Sequence, residues 1–114
     1  MPLFHLASHI LFIHSVGRSF QSQKGSLGYY KPLSYDLLDS PSWSNGIRYL
    51  YKNKQGRWFI SEKAGAETNR KLITDEASYS PFDVQLKWNA WNGTHFLHDA
   101  GLTVESVDLQ TGMF

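Results

Sequence analysis

Cysteine is absent from the 114-residue chain. That removes disulfide frameworks, thiolate zinc sites, iron–sulfur clusters and cysteine nucleophiles together. The missing thiol does not fix a compartment, because a domain of this length can bury a sufficient core without disulfides. Charge of one sign is also scarce. Eleven Lys and Arg stand against ten Asp and Glu, a formal net charge of +1 with a pI near 8.0. No strong field results, and neither an acidic tail nor a basic arm is present to seek a polyanion. Long apolar runs are missing too. Leu3 to Val16 is mostly apolar, but His5, His9 and His14 break it, and it is too short to cross a bilayer as a helix. No transmembrane segment is expected. No Lys or Arg precedes the run, as the charged start of a secretory signal requires, although Ser15-Val16-Gly17 offers small residues for cleavage. Residues 1–24 thus read as a leader with three readings open: a cleaved signal directing the chain outward, a poorly ordered segment, or an N-terminal element docked on the domain.

What the chain does have is aromatic side chains: four Trp, six Tyr and seven Phe. Many fall in two clusters around tight-turn signals. In the first, Ile47, Tyr49 and Tyr51 alternate with Arg48, Leu50 and Lys52, the period of a strand. Asn53-Lys54-Gln55-Gly56 is a short polar loop ending in glycine, and Trp58 and Ile60 on the return strand face opposite to Arg57, Phe59 and Ser61. In the second, Asn92-Gly93 is the preferred two-residue type I′ turn. That turn pairs Trp91 with Thr94, Ala90 with His95 and Trp88 with Leu97, and leaves Trp91 and Phe96 as diagonal neighbours on one face.

The remaining segments carry weaker signals. Arg18 to Leu27 is polar and reads as a linker. Pro32 makes Tyr29 to Leu38 an edge strand or extended stretch, because proline donates nothing to a ladder. Glu62 to Ser80 reads as a long loop around a short strand at Leu72-Ile73-Thr74, or as one holding a helical turn near Asp75 to Ser78. Leu102 and Val104 alternate with Thr103 and Glu105 in a last strand. The fold class that follows is all-β: a small antiparallel meander or partly closed barrel of about five to seven strands with two prominent hairpins. It forms a single domain over residues 25–108, followed by a tail at 109–114. No βαβ alternation is present, which argues against a parallel sheet.

The order of landmarks Gly28-Tyr29-Tyr30, Asn45-Gly46, Tyr49-Leu50-Tyr51, Trp58-Phe59-Ile60-Ser61, Ser80-Pro81, Trp88, Trp91-Asn92-Gly93, Asp99 and Leu102-Thr103-Val104 resembles a small aromatic-rich β repeat. That repeat occurs in multidomain proteins of marine invertebrates and protists. The resemblance implies a β-rich accessory module without established enzymatic activity or agreed ligand. A likeness to WW domains through Trp43, Arg48, Tyr49, Tyr51 and Trp58 fails. The interval from Trp43 to Trp58 is too short for three strands, and no proline closes the unit.

Reactive chemistry finds little support. His95 and His98 point to opposite faces of a strand, so with Asp99 they form no chelating set unless the strand ends between them. His5 and His9 lack a third ligand. No glycine-flanked serine elbow occurs, and the glycine that must precede a P-loop lysine is missing near Arg70-Lys71. Asp36 and Asp39, or Asp75 and Glu76, read as solvated loop acids rather than a glycosidase pair. No enzyme, cofactor or metal is expected.

The expectation is a non-catalytic binding module. A protein or peptide partner, held on a sheet edge or tyrosine patch, is favoured. A carbohydrate stacked on an exposed Trp91 or Tyr30 is the alternative. Single-stranded nucleic acid ranks lower: Arg48, Lys52, Lys54 and Arg57 gather around one hairpin, but strand alternation segregates the first two from the tyrosines. The candidate ligand-binding residues are Tyr30, Tyr49, Tyr51, Trp91, Arg48 and Lys52. Asn92-Gly93-Thr94 also satisfies the N-glycosylation pattern, which gains meaning only if residues 1–17 are a signal.

Overall fold

The computed structural model describes residues 9–107. Expectations for His5 and for the tail at 109–114 lie outside them. Nine strands make up one antiparallel sheet: β1 Ile10–Ser15, β2 Gly28–Pro32, β3 Trp43–Ser44, β4 Tyr49–Lys52, β5 Arg57–Ser61, β6 Arg70–Ala77, β7 Trp88–Trp91, β8 Phe96–His98 and β9 Leu102–Val107. Their order is β8-β7-β6-β5-β4-β3-β2-β1-β9, so the first eight form an uninterrupted meander and the ninth returns to pair with β1. The all-β antiparallel expectation holds, and the strand count is nine instead of five to seven.

The sheet curls into a half-barrel around a core of Leu11, Ile13, Tyr30, Trp43, Leu50, Trp58, Ile60, Leu72, Trp88, Ala90, Leu102 and Val104. Trp43 and Trp58 meet edge to face, with ring centroids 5.8 Å apart. At ~25 cal/mol per Å², the ~150–250 Å² of one buried ring contributes about 4–6 kcal/mol before ordering entropy is subtracted. A second, smaller cluster of Leu37, Tyr51, Phe59 and Ile73 sits on the outer face of β4, β5 and β6, under the loop that follows β2. Trp58 and Ile60 therefore pack inside while Phe59 packs outside, so β5 is buried on both faces.

Closure depends on one corner. An even number of antiparallel steps separates β8 from β9, so the two strands run the same way. Asp99-Ala100-Gly101 carries the chain from one sheet edge to the other. The Asp99 N–H donates to the Trp88 carbonyl at 2.9 Å, and the Gly101 carbonyl accepts from the Val16 N–H at 3.0 Å. Below that corner the segment before β7 diverges from β9, and a seam remains.

Several local expectations are corrected. Residues 10–15 are a core strand: Leu11, Ile13 and Ser15 are buried, while Phe12 and His14 face outward. Ile10–Ser15 pairs with β2 on one side and β9 on the other. Arg18–Leu27 is no linker. A short helix α1 at Ser19–Ser22 and a 3-10 turn at Lys24–Ser26 plug one end of the half-barrel, with Ser19, Gln23 and Ser26 buried. β2 is interior, not an edge, because Pro32 is its last residue and only Lys31 and Pro32 meet β3. β6 extends through Asp75 and Glu76, so no helical turn forms there.

The Asn92-Gly93 hairpin closes two residues wider than expected. Trp91 lies opposite Phe96 and Ala90 opposite Leu97. The cause is the Asn92 side chain, whose Oδ1 accepts from the N–H groups of Thr94 at 2.8 Å and His95 at 2.9 Å. That side-chain turn leaves only Gly93 at positive φ, whereas a type I′ turn needs two such residues. The shift is even, so every side chain keeps its expected face. The first hairpin is as expected, with Gly56 at φ 83° and Tyr51 opposite Phe59.

Candidate functional site

Two concave regions flank the closed part of the barrel. The first is a depression of about 390 Å³ on the outer face, lined by residues 67–71 together with Trp91 and Phe96. Its floor is the cross-strand pair from β7 and β8, rings 5.1 Å apart and inclined at 59°. The Arg70 guanidinium lies 5.9 Å from the Phe96 ring centre, within cation–π range. The wall is the end of the loop between β5 and β6 with the first two residues of β6. Tyr51 pins it: its hydroxyl donates to the Ala66 carbonyl at 2.6 Å, has the Lys63 carbonyl at 2.8 Å, and accepts from the Ala66 N–H at 2.9 Å. Ser61 Oγ adds a bond to the Thr68 carbonyl at 2.9 Å. Burial raises the Tyr51 hydroxyl above the ordinary phenol value, which keeps it a neutral donor.

The second is the seam, a cavity of about 260 Å³ between residues 83–88 and β9. Leu86, Trp88, Leu102 and Val104 make it apolar, while Asp83 and Glu105 stand at its rim. On its other side β9 is bonded to β1.

The expected site residues divide between roles. Tyr30 has no exposed surface and its hydroxyl donates to the Ser26 carbonyl at 2.9 Å, so it has no face on which a sugar could stack. Tyr51 is equally buried and shapes the depression only through the loop it holds. Arg48 is a strut of the plug: its guanidinium donates to Gln23 Oε1 at 3.0 Å and Ser26 Oγ at 2.6 Å, and lies 3.6 Å from Glu62. Lys52 sits over the Trp58 ring at 5.3 Å and the Tyr79 ring at 5.9 Å. Tyr49 is half-buried against the outer cluster. Of the six, Trp91 is the one that lines either of these two regions.

The basic hairpin is likewise engaged. Arg57 Nε donates to the Thr74 carbonyl at 2.8 Å, and Arg48 and Lys54 lie at opposite ends of β4. Asp99, 3% exposed, is a corner post: Oδ2 accepts from Ser15 Oγ at 2.8 Å and Ser19 N–H at 2.9 Å, and Oδ1 from Gly101 N–H at 3.0 Å. Burial alone would raise its pKa, but the Ser19, Ser15 and Gly101 donors outweigh it and hold the carboxyl below its ordinary value. His95, in the turn before β8, and His98, the last residue of β8, are both exposed and do not join it. Among the described residues no group of three His, Asp or Glu side chains gathers as a metal site, and no helix is long and apolar enough to cross a membrane.

The sequence reading missed residues 67–71, which form the depression's wall. Their one local signal is Asn69 at φ 56°, a left-handed position that asparagine tolerates better than most residues. No protein-family description, curated protein or solved structure matches this chain.

Proposed function

We propose that this chain is a non-catalytic recognition module whose partner is a protein segment or peptide, added in extended form along β9 at the seam. The observation that carries the reading is the lapse in the barrel's closure. Among the described residues β9 pairs with β1 on one side only, and the cavity beside its other edge has an apolar floor and an acidic rim. An unpaired strand edge is a template for a further strand, whose backbone supplies affinity while alternate side chains supply selectivity. The floor of Leu86, Trp88, Leu102 and Val104 fits small branched side chains at every second position. Asp83 favours a basic residue at one end, whereas the Glu105 carboxylate lies 2.9 Å from His14 Nε2 across the β1–β9 pair. The landmarks that resemble the aromatic-rich repeat support an accessory role of this kind.

The test is an amide NMR titration with a capped Lys-Val-Thr-Val-Thr-Lys peptide. Shifts confined to residues 83–88 and 102–105, and lost in a Leu86→Glu variant that keeps its fold, support the reading. Shifts scattered over the surface, or unchanged in that variant, end it.

A further inference from the structure

The depression beside Trp91 is separate from the seam and has a different chemistry. Its floor is aromatic and its wall is entirely hydrogen-bonding: Glu67, Thr68, Asn69, Arg70 and Lys71 follow one another along the chain. We infer that it is a saccharide site, and that the saccharide it takes carries a carboxylate.

Three observations carry this. First, a sugar ring has an apolar C–H face and a hydroxyl rim, so it needs a flat ring beneath it and polar groups beside it. Trp91 with Phe96 supplies the ring, and the Thr68 and Asn69 side chains stand at its border. A volume of about 390 Å³ also falls within the ~300–1,000 Å³ range of small-ligand pockets.

Second, the platform is fixed before a ligand arrives. Trp91 lies in register opposite Phe96, and its carbonyl accepts from Gln23 Nε2 at 2.8 Å. The wall is held by Tyr51 and Ser61. Preorganisation lowers the ordering cost that weakens binding to mobile surfaces.

Third, the wall carries two cations, Arg70 and Lys71, against the single carboxylate of Glu67. Lys71 shares Glu62 at 3.9 Å, but among the described residues the Arg70 guanidinium has no carboxylate within ion-pair distance. It is held beside the Phe96 ring at the edge of the platform. A planar guanidinium there matches a carboxylate in two parallel hydrogen bonds. A uronic acid stacked on Trp91 would present such a group.

The other three tryptophans are buried, at 0% exposure for Trp43 and Trp58 and 3% for Trp88. All four rings emit, but a change in emission on adding a ligand reports on Trp91, the ring that a ligand in the depression touches. The experiment titrates the protein with trigalacturonate and, separately, with neutral maltotriose. The expected result is a saturable emission change with trigalacturonate only. It is absent in Trp91→Ala and at least roughly tenfold weaker in affinity in Arg70→Gln, the order expected when a charged two-bond pairing is replaced by one neutral amide bond. Circular dichroism of both variants checks that they fold. If Trp91→Ala does not, Arg70→Gln and the emission response of the parent decide alone. No response to trigalacturonate overturns the inference. So does an equal response to maltotriose, or a response to an acidic hexapeptide that Arg70→Gln weakens while the saccharide gives none.

Discussion

Replacing Asp99 by Asn tests how the barrel is closed. The carboxylate accepts three hydrogen bonds at 2.8 to 3.0 Å, from Ser15 on β1, Ser19 on α1 and Gly101 in the corner itself. An amide keeps one oxygen, which can retain Ser15 and Ser19 at neutral strength, and turns an N–H₂ group towards the Gly101 N–H. Two bonds lose their charge assistance and one buried donor loses its acceptor, for a cost of about 3–4 kcal/mol. The assay is urea unfolding of both proteins near neutral pH and again in acid.

The pH dependence has a definite sign. The folded carboxyl is held below its ordinary value, so its contribution is complete above the unfolded pKa of ~3.9 and is lost as pH falls through the folded pKa. The gap between parent and variant should be constant above about pH 5 and narrow in acid. Equal midpoints near neutrality, or a gap that widens as acid is added, would refute the reasoning.

Two further substitutions probe the same frame. A Cβ on Gly17 would lie 2.1 Å from Asp99 Oδ1, so Gly17→Ala must displace a carboxylate held by three donors. The expected loss is about 1–3 kcal/mol, towards the upper end, read from chemical denaturation. Tyr51→Phe leaves the Ala66 N–H without its acceptor and frees the loop before β6. About 1–2 kcal/mol of stability should go, together with faster amide exchange and proteolysis confined to residues 62–69. Uniform exchange across the sheet would count against that assignment.

Much of the fold was legible because turn chemistry and strand alternation act locally. Tyr49 to Ser61 folds as its polar loop and alternating pattern require, and the facing of Trp88, Trp91 and Phe96 survives a register error. That error arose because Asn92 acts through its side chain, which a rule based on backbone φ does not see. By composition Ile10–Ser15 reads as part of a leader, although Leu11, Ile13 and Ser15 alternate with Phe12 and His14. Its histidines and its position near the start obscured a period that the burial pattern makes plain. The plug was missed for a physical reason: Gln23 and Ser26 are buried with the partly exposed Arg48 guanidinium bonding both, and polar composition alone reads as exposure. The candidate site was half legible. Trp91 and Phe96 lie on a patterned hairpin, whereas residues 67–69 come from a loop that the distant Tyr51 and Ser61 help hold in place, and Arg70 and Lys71 open β6.

Collisional quenching by acrylamide, compared between the parent and Trp91→Phe, tests most directly the division of rings between interior and surface. The expected outcome is that quenching in the parent comes almost wholly from Trp91, so the variant's remaining emission resists the quencher. A variant quenched as readily as its parent would mean that Trp43, Trp58 or Trp88 reaches solvent, which contradicts the half-barrel core.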